Sequence, residues 1–187
     1  MKVTLRILIL ALILPIILSA YNDEEFDYKF IQADTCCSFR GSFIVNCQPG
    51  VLIDLIYDYD KISEYSPGVK TLELVRQGED WYEVAFTYQD LLVLENRSVW
   101  RRTLNREENT IEFELISNWN NTDIIPELLS STGHYKLKSE NDECLVEIFQ
   151  ECKLHRGLLN DAYFKKVKKG GTQFLRVFKD FIERNCD

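Results

Sequence analysis

The sequence contains few of the residues that enzyme active sites use most. Only two histidines occur, His134 and His155, and neither is spaced to pair with a nucleophile or a metal ligand. The chain has no Ser-His-Asp order, no glycine-rich phosphate loop and no metal-binding motif. General acid–base catalysis needs a proton donor positioned beside its substrate, and no spacing here indicates one. We therefore predict no catalytic residue, no metal and no cofactor, and the sequence favours a binding protein over an enzyme.

Positive charge is scarce as well. The 22 lysines and arginines are outnumbered by 30 aspartates and glutamates, so the net charge is −8. An acidic chain disfavours nucleic acid and anionic membrane surfaces as main partners, because like charges repel. A basic run at residues 165–169 is typical of the solvated face of a helix.

The longest apolar run lies at the N-terminus. Lys2 and Arg6 precede an apolar stretch at residues 7–18, and small residues and an acidic segment follow it. This order is typical of a secretory signal. The stretch would make about 18 Å of helix, too short for a membrane core of about 30 Å. We expect residues 1–20 to be a cleaved signal peptide and the protein to be secreted, lumenal or periplasmic, with no stable membrane span. An uncleaved signal anchor is the alternative.

Six cysteines lie beyond that segment: Cys36, Cys37, Cys47, Cys144, Cys152 and Cys186. An even number of cysteines behind a secretory signal indicates disulfides. The spacing contains no Cys-x-x-Cys pair and no histidine partner, which disfavours a zinc site.

The periodicity of the apolar residues predicts one α+β domain. Residues 21–38 show no clear period and are interpreted as a leader. Residues 39–47 alternate as a strand, and Pro49 begins a helix that a short second helical turn follows. Six further strands are predicted, several of them alternating as half-buried antiparallel strands do; they are residues 69–77, 81–89, 91–104, 110–118, 133–139 and 143–154. Residues 157–184 carry an apolar face at helical spacing, with Gly170-Gly171 as a kink or a point of close approach.

The segment after the first strand resembles a known family. Tyr57-Asp58-Tyr59-Asp60, followed by Tyr65-Ser66-Pro67-Gly68-Val69, is similar to the START-like superfamily of polyketide cyclases, coenzyme Q-binding proteins and Bet v 1-like lipid binders. The resemblance covers roughly residues 40–185 and implies a helix-grip domain over residues 39–187. In that fold a curved antiparallel sheet of six to seven strands wraps around a long C-terminal helix, with two short helices after the first strand.

The resemblance also implies a disulfide pattern. The first and last strands of a helix-grip sheet are antiparallel neighbours, which would place Cys47 near Cys144 and Cys37 near Cys152, with one bulge between the two pairs. Cys36 and Cys186 would then remain for each other.

A further implication is an apolar cavity between the sheet and the final helix. Strand parity and the helical face suggest the inward, ligand-binding set Tyr82, Phe86, Tyr88, Arg97, Phe113, Leu115, Tyr135, Leu137, Phe164, Phe174 and Phe178. Each apolar member could instead simply fill the core. Arg97 is assigned inward together with Arg101 on the assumption that Asn96 points outward. The alternative for Arg97 is a position on the surface, in an ion pair with Glu95, Glu112 or Glu114.

These inferences lead to one function and two alternatives. The protein is predicted to bind and to sequester or transport a hydrophobic small molecule, such as a lipid, an isoprenoid or a polyketide-like compound. A cyclase or dehydratase acting in the same cavity is the first alternative, and it requires inward polar groups around one reactive position. A protein-interaction module with a filled core is the second. The oligomeric state stays open.

Overall fold

The structure is a computed structural model, and it describes residues 26–66, 68–90, 94–120, 127–141, 143–155 and 160–186. Its elements, in chain order, are β1 (Asp27–Ala33), β2 (Cys36–Val45), α1 (Pro49–Tyr57), a single 3-10 turn (Tyr59–Lys61), α2 (Ile62–Tyr65), β3 (Val69–Gln77), β4 (Trp81–Asp90), β5 (Leu94–Asn105), β6 (Thr110–Asn120), β7 (Leu128–Glu140), β8 (Glu143–Leu154) and α3 (Asn160–Asn185). The predicted signal peptide at residues 1–20 lies outside the described residues. Within them, no helix is long and apolar enough to cross a membrane.

The described strands form one antiparallel sheet in the order β1-β2-β8-β7-β6-β5-β4-β3. The sheet has eight strands, so the prediction of six to seven is corrected. The additional strand is β1, which pairs along β2 at the edge of the sheet. Its inward residues Tyr28 and Phe30, together with Phe26 just before the strand, are half-buried against the core. Three aromatic residues among acidic ones are too few to produce a recognisable period.

Strands β2 and β8 pair in one continuous register. Cys37 lies opposite Cys152, and Val45 lies opposite Cys144, with no bulge between them. Cys47 therefore lies beyond the last paired residue of β2, where it bonds to Cys186. The predicted pairs Cys47–Cys144 and Cys36–Cys186 are wrong, because a bulge would have been needed to bring Cys47 opposite Cys144.

The C-terminal half of α3 is held in the main core. Leu175, Phe178, Phe181 and Ile182 are fully buried, and the Cys47–Cys186 disulfide ties the end of the helix to the segment before α1. In the N-terminal half, Phe164 belongs to a separate smaller cluster with Cys37 and Leu154. The two halves of the helix thus pack against different parts of the domain.

Two glycines set the distance between α3 and β2. A Cβ added at Gly41 would lie 2.7 Å from Leu175, and one added at Gly171 would lie 2.9 Å from the Phe39 ring. An added Cβ at Gly170 would meet no atom within 4 Å. Gly171 therefore marks a close approach of the helix to the sheet, and Gly170 does not.

The outer face of the sheet carries a buried carboxylate. Glu83 is only 2% exposed, and it accepts hydrogen bonds from Arg76 at 2.7 and 2.8 Å and from Arg101 at 2.8 and 3.1 Å. The Arg76 and Arg101 guanidinium groups also lie 5.7 and 5.0 Å from the ring of Trp81. Two cations and an aromatic ring thus shield one carboxylate on the outer face of the sheet.

We expect Gly170→Ala to stabilise the protein by about 1 kcal/mol, because alanine has the higher helix propensity. Gly171→Ala gains the same propensity but presses against the Phe39 ring, so we expect it to be at least about 1 kcal/mol less stable than Gly170→Ala. Urea unfolding of both variants beside the parent protein measures the difference. Equal stabilisation by the two substitutions would contradict the close approach of α3 to β2.

A Cys37–Cys152 disulfide stays a prediction that the geometry favours. The two Sγ atoms are 2.9 Å apart, and directly opposed antiparallel residues have the Cα spacing that a disulfide needs. Non-reducing peptide mapping should recover Cys37–Cys152 and Cys47–Cys186 peptides. Cys144 should keep its thiol, because burial raises its pKa to about 11 and a protonated thiol reacts poorly. A peptide joining Cys144 to any other cysteine would contradict this assignment.

The Glu83 cluster predicts a pH dependence of stability. The Arg76 hydrogen bond, with help from Arg101, holds the pKa of Glu83 below its usual value. A carboxyl with a depressed folded-state pKa contributes stability above its unfolded pKa of about 4.3, and this stability is lost as the pH falls through the folded pKa. Glu83→Gln should therefore lower the free energy of unfolding by about 1–3 kcal/mol near neutral pH.

The difference in the free energy of unfolding between the parent protein and Glu83→Gln should shrink as the pH is lowered to about 3. Urea unfolding at a series of pH values measures this difference. Glu79→Gln is the matched control, because Glu79 is exposed in the turn between β3 and β4, and it should change little. A Glu83→Gln effect of constant size across the pH range would rule out the ion pairs as its source.

Candidate ligand-binding site

Aromatic rings from three strands and α3 form a continuous wall inside the sheet. Neighbouring ring centroids are 6.1 Å apart from Trp100 to Phe113, 5.2 Å from Phe113 to Tyr135, 5.4 Å from Tyr135 to Phe178, and 5.3 Å from Phe178 to Phe174. We call these five residues the aromatic wall. Inward-pointing residues of β5, β6 and β7 meet the inner face of α3 here, which joins the sheet to the helix.

The structure brings most of the predicted inward residues together. Those buried in the main core are Tyr82, Phe86, Tyr135, Leu137 and Phe178, and those half-buried against it are Tyr88, Phe113 and Phe174. Leu115 is half-buried and lies outside this cluster. Phe164 belongs to the separate cluster under the first turns of α3, so it does not share the surroundings of the aromatic wall.

Arg97 lies on the outer face, which contradicts its inward assignment. Its side chain is 53% exposed and forms an ion pair with Glu73 at 3.4 Å. Arg101 lies on the same outer face and pairs with Glu83 and Glu114. The alternative of a surface ion pair was therefore the better interpretation of Arg97, although its partner is none of the three glutamates considered. The parity of β5 had been assigned one residue out of phase.

The inward arginine of β5 is Arg102, which the sequence reasoning missed. It lies opposite Tyr82 of β4 and Phe113 of β6, and it is 5% exposed. Its Nη1 donates hydrogen bonds to the Tyr65 hydroxyl at 2.7 Å and to the Ile56 carbonyl at 3.3 Å. Trp100 and Leu104 alternate with Arg102 along β5, and these two apolar residues were the signal for the correct parity.

Three tyrosines surround this guanidinium, and we call Tyr65, Tyr82, Arg102 and Tyr135 the arginine–tyrosine cluster. Arg102 lies 5.9 Å from the ring of Tyr65 and 5.5 Å from that of Tyr135, which suits cation–π attraction. The Tyr82 hydroxyl is buried and has no hydrogen-bond partner among the described residues. Tyr135 belongs both to this cluster and to the aromatic wall, so the polar group adjoins the apolar surface.

The protonation states of the cluster follow from burial and from the cation. Burial raises the pKa of Tyr65, Tyr82 and Tyr135, and the Arg102 charge only partly opposes this. Burial also raises the pKa of Tyr88 to about 12. Burial disfavours the charged form of Arg102, but the facing tyrosines outweigh it and the pKa of Arg102 lies above its ordinary value. The phenols therefore keep their protons near neutral pH, and the guanidinium keeps its charge.

Chemically, the cluster offers hydrogen-bond donors and one positive charge. None of the ion pairs found among the described residues involves Arg102. No group of three histidine, cysteine, aspartate or glutamate side chains in the described ranges could hold a metal ion. A protonated phenol is a poor base at neutral pH, so the cluster can bind and polarise an oxygen atom more readily than it can remove a proton.

Comparison with known proteins rests on structure, since no protein-family model and no curated protein matches the sequence. A STAR-related lipid transfer protein from Xanthomonas axonopodis superposes with a TM-score of 0.67 at 11% identity, over 86% of this chain and 95% of that one. The Zhui aromatase/cyclase from a Streptomyces species gives a TM-score of 0.66 at 10% identity, over 81% and 93%. Norcoclaurine synthase from Thalictrum flavum gives 0.55 at 13% identity, over 86% and 87%.

These likenesses are structural, and at such low identity they concern the fold. Each superposition covers 81% or more of this chain, which includes most of the sheet and helices described above. The chain therefore shares the fold of these structures, the predicted helix-grip fold.

Proposed function

We propose that this protein binds and holds a hydrophobic small molecule between the sheet and α3. The observation that carries the proposal is the incomplete burial of large side chains on the inner face. Tyr88, Trp100, Phe113 and Phe174 point inward, yet each is only half-buried. Half-buried aromatic residues that adjoin one another leave an apolar patch in contact with water, and a ligand seated against them would complete their burial.

The energetic basis is the removal of apolar surface from water. Each Å² of apolar surface that ligand and protein bury together contributes about 25 cal/mol. Pockets of this kind are mostly apolar, with a few polar groups that orient the ligand. The aromatic wall supplies the apolar part, and the arginine–tyrosine cluster supplies the polar part. The ligand class is a lipid, an isoprenoid or a polyketide-like compound, and the names of the lipid transfer protein and the aromatase/cyclase among the structural neighbours support this class.

The binding function would operate in an oxidising compartment. The Cys47–Cys186 disulfide supports secretion or a lumenal or periplasmic location, because such bonds persist mainly outside the reducing cytosol. This agrees with the secretory signal predicted at residues 1–20, although that segment lies outside the described residues.

A cyclase or dehydratase is the second candidate, and the arginine–tyrosine cluster favours it. That alternative required inward polar groups around one position, and Arg102 with Tyr65, Tyr82 and Tyr135 satisfies the requirement with a different arginine from the one predicted. A developing enolate oxygen could be stabilised by such donors. The reaction would still need a base, which the protonated phenols do not supply.

Native mass spectrometry of the purified secreted protein, followed by organic extraction, tests the binding function. We expect a co-purifying apolar molecule that is released on unfolding. A protein that stays free of ligand after incubation with a panel of lipids and isoprenoids would contradict the proposal and favour the filled-core interaction module. A ligand that is recovered chemically changed would favour the cyclase or dehydratase.

A pair of variants locates the site in the same experiment. Leu115→Trp adds bulk at a half-buried inner position outside the core cluster, and it should reduce the amount of ligand carried several-fold. Ile44→Trp is the matched control, because Ile44 is 44% exposed and alternates with the buried Phe43 and Val45 on β2, so its side chain points to the outer face. If both variants carry the same amount of ligand, the ligand does not lie against the inner face near Leu115.

A further inference from the structure

Arg102 is a buried cation without a buried anion. It is 5% exposed, and no aspartate or glutamate among the described residues forms an ion pair with it. Transferring a guanidinium from water to such a site is unfavourable unless an opposite charge and hydrogen bonds compensate. The neighbouring Arg101, on the outer face, has Glu83 and Glu114 as partners. Of these two arginines, therefore, only Arg102 on the inner face carries a positive charge that no described carboxylate balances.

The hydrogen bonds of Arg102 to Tyr65 and Ile56 use one nitrogen of its guanidinium, and the Tyr82 and Tyr135 hydroxyls also lie close enough to this group for it to lower their pKa. Both hydrogen bonds to described residues, to the Tyr65 hydroxyl and the Ile56 carbonyl, come from Nη1. A guanidinium carries five N–H donors in a planar fork. The edge formed by Nε and Nη2 has the spacing that accepts the two oxygens of a carboxylate in parallel.

A second donor near the cation also lacks a partner. The Tyr82 hydroxyl is buried without a hydrogen-bond partner among the described residues, and Tyr82 lies directly opposite Arg102 in the β4–β5 pairing. A buried hydroxyl without a partner destabilises the protein, because it loses its hydrogen bonds to water. An oxygen atom that accepts hydrogen bonds from both side chains would remove this cost and balance the charge.

We propose that the bound molecule is an apolar acid whose carboxylate accepts hydrogen bonds from Arg102 and Tyr82. The inference rests on the proposed binding function and adds to it the charge of the ligand. One unbalanced positive charge matches the single negative charge of a carboxylate, whereas a phosphate monoester would bring nearly two. Tyr135 lies against both Arg102 and the ring of Phe113, so the carboxylate would end an apolar body that lies along the aromatic wall.

Binding of matched acids and esters tests this assignment. The probes are a straight-chain, an isoprenoid and a polycyclic aromatic carboxylic acid, each with its methyl ester, titrated by calorimetry near neutral pH. We expect the protein to bind at least one acid about tenfold or more tightly than its ester. Arg102→Met should abolish this preference while ester binding persists, because the ester does not use the positive charge.

Arg97→Met is the matched control, since Arg97 is an exposed arginine of the same strand, and it should keep the preference for the acid. If Arg102→Met fails to fold, Arg102→Lys and Tyr82→Phe test the carboxylate assignment instead. Both variants should lower the affinity for the acid several-fold relative to the affinity for its ester.

The outcomes separate the two proposals. Equal binding of acid and ester by the parent protein overturns the carboxylate assignment and leaves the binding function in place. Binding of none of the six probes, together with an empty protein in mass spectrometry, overturns both. A preference for the acid that survives Arg102→Met assigns the carboxylate to another group and overturns this inference alone.

Discussion

The close packing of α3 on β2 is the constraint on which the rest of the structure depends. Gly41 and Gly171 allow Leu175 and Phe39 to approach the opposing backbone, and the Cys47–Cys186 disulfide anchors the end of the helix. The helix is thereby held over the β1–β2 side of the sheet. The inner residues of β4, β5 and β6 lie further along the sheet, where Tyr88, Trp100 and Phe113 stay half-buried. The position of the helix thus creates the candidate site.

Two adjacent arginines show how the sheet separates two electrostatic environments. Arg101 faces outward, where Glu83 and Glu114 neutralise it at the border with water. Arg102 faces inward, where the dielectric response is weaker and its polar neighbours are tyrosines and the Ile56 carbonyl. The first arginine contributes to stability, and the second places an unbalanced charge beside an aromatic surface. Such a buried charge is better explained by a ligand than by stability, since apolar residues fill a core at lower cost.

The sequence predicted regular alternation well and local irregularities poorly. The last strand, predicted at residues 143–154, is confirmed as Glu143–Leu154, because its inward residues alternate along its length with more exposed ones. Strand β7 begins at Leu128 rather than at the predicted Gly133, since its first residues, two leucines followed by three hydroxyl-bearing residues, do not alternate. Strand β1 was missed because its alternation is confined to Tyr28 and Phe30, at an edge of the sheet.

The candidate site was predicted only in part, again because regular alternation was read correctly and the direction of one strand was not. The inward positions of Tyr82, Phe86, Tyr135 and Phe178 follow from clear apolar alternation or helical spacing. Arg97 was chosen instead of Arg102 because the parity of β5 was taken from Asn96. A polar residue near a strand end says little about direction, whereas Trp100 and Leu104, within the strand, indicate it.

The sequence by itself determined the order of the elements, the α+β class and the composition of the inner face, because these depend on local periodicity and on residue type. Only the tertiary structure decided which arginine is buried, which cysteines meet and which aromatic rings form the wall. Those outcomes depend on strand register and on the seating of α3, where a shift of a single residue exchanges the two faces of a strand. No local pattern encodes such a shift, since it results from contacts between residues far apart in the chain.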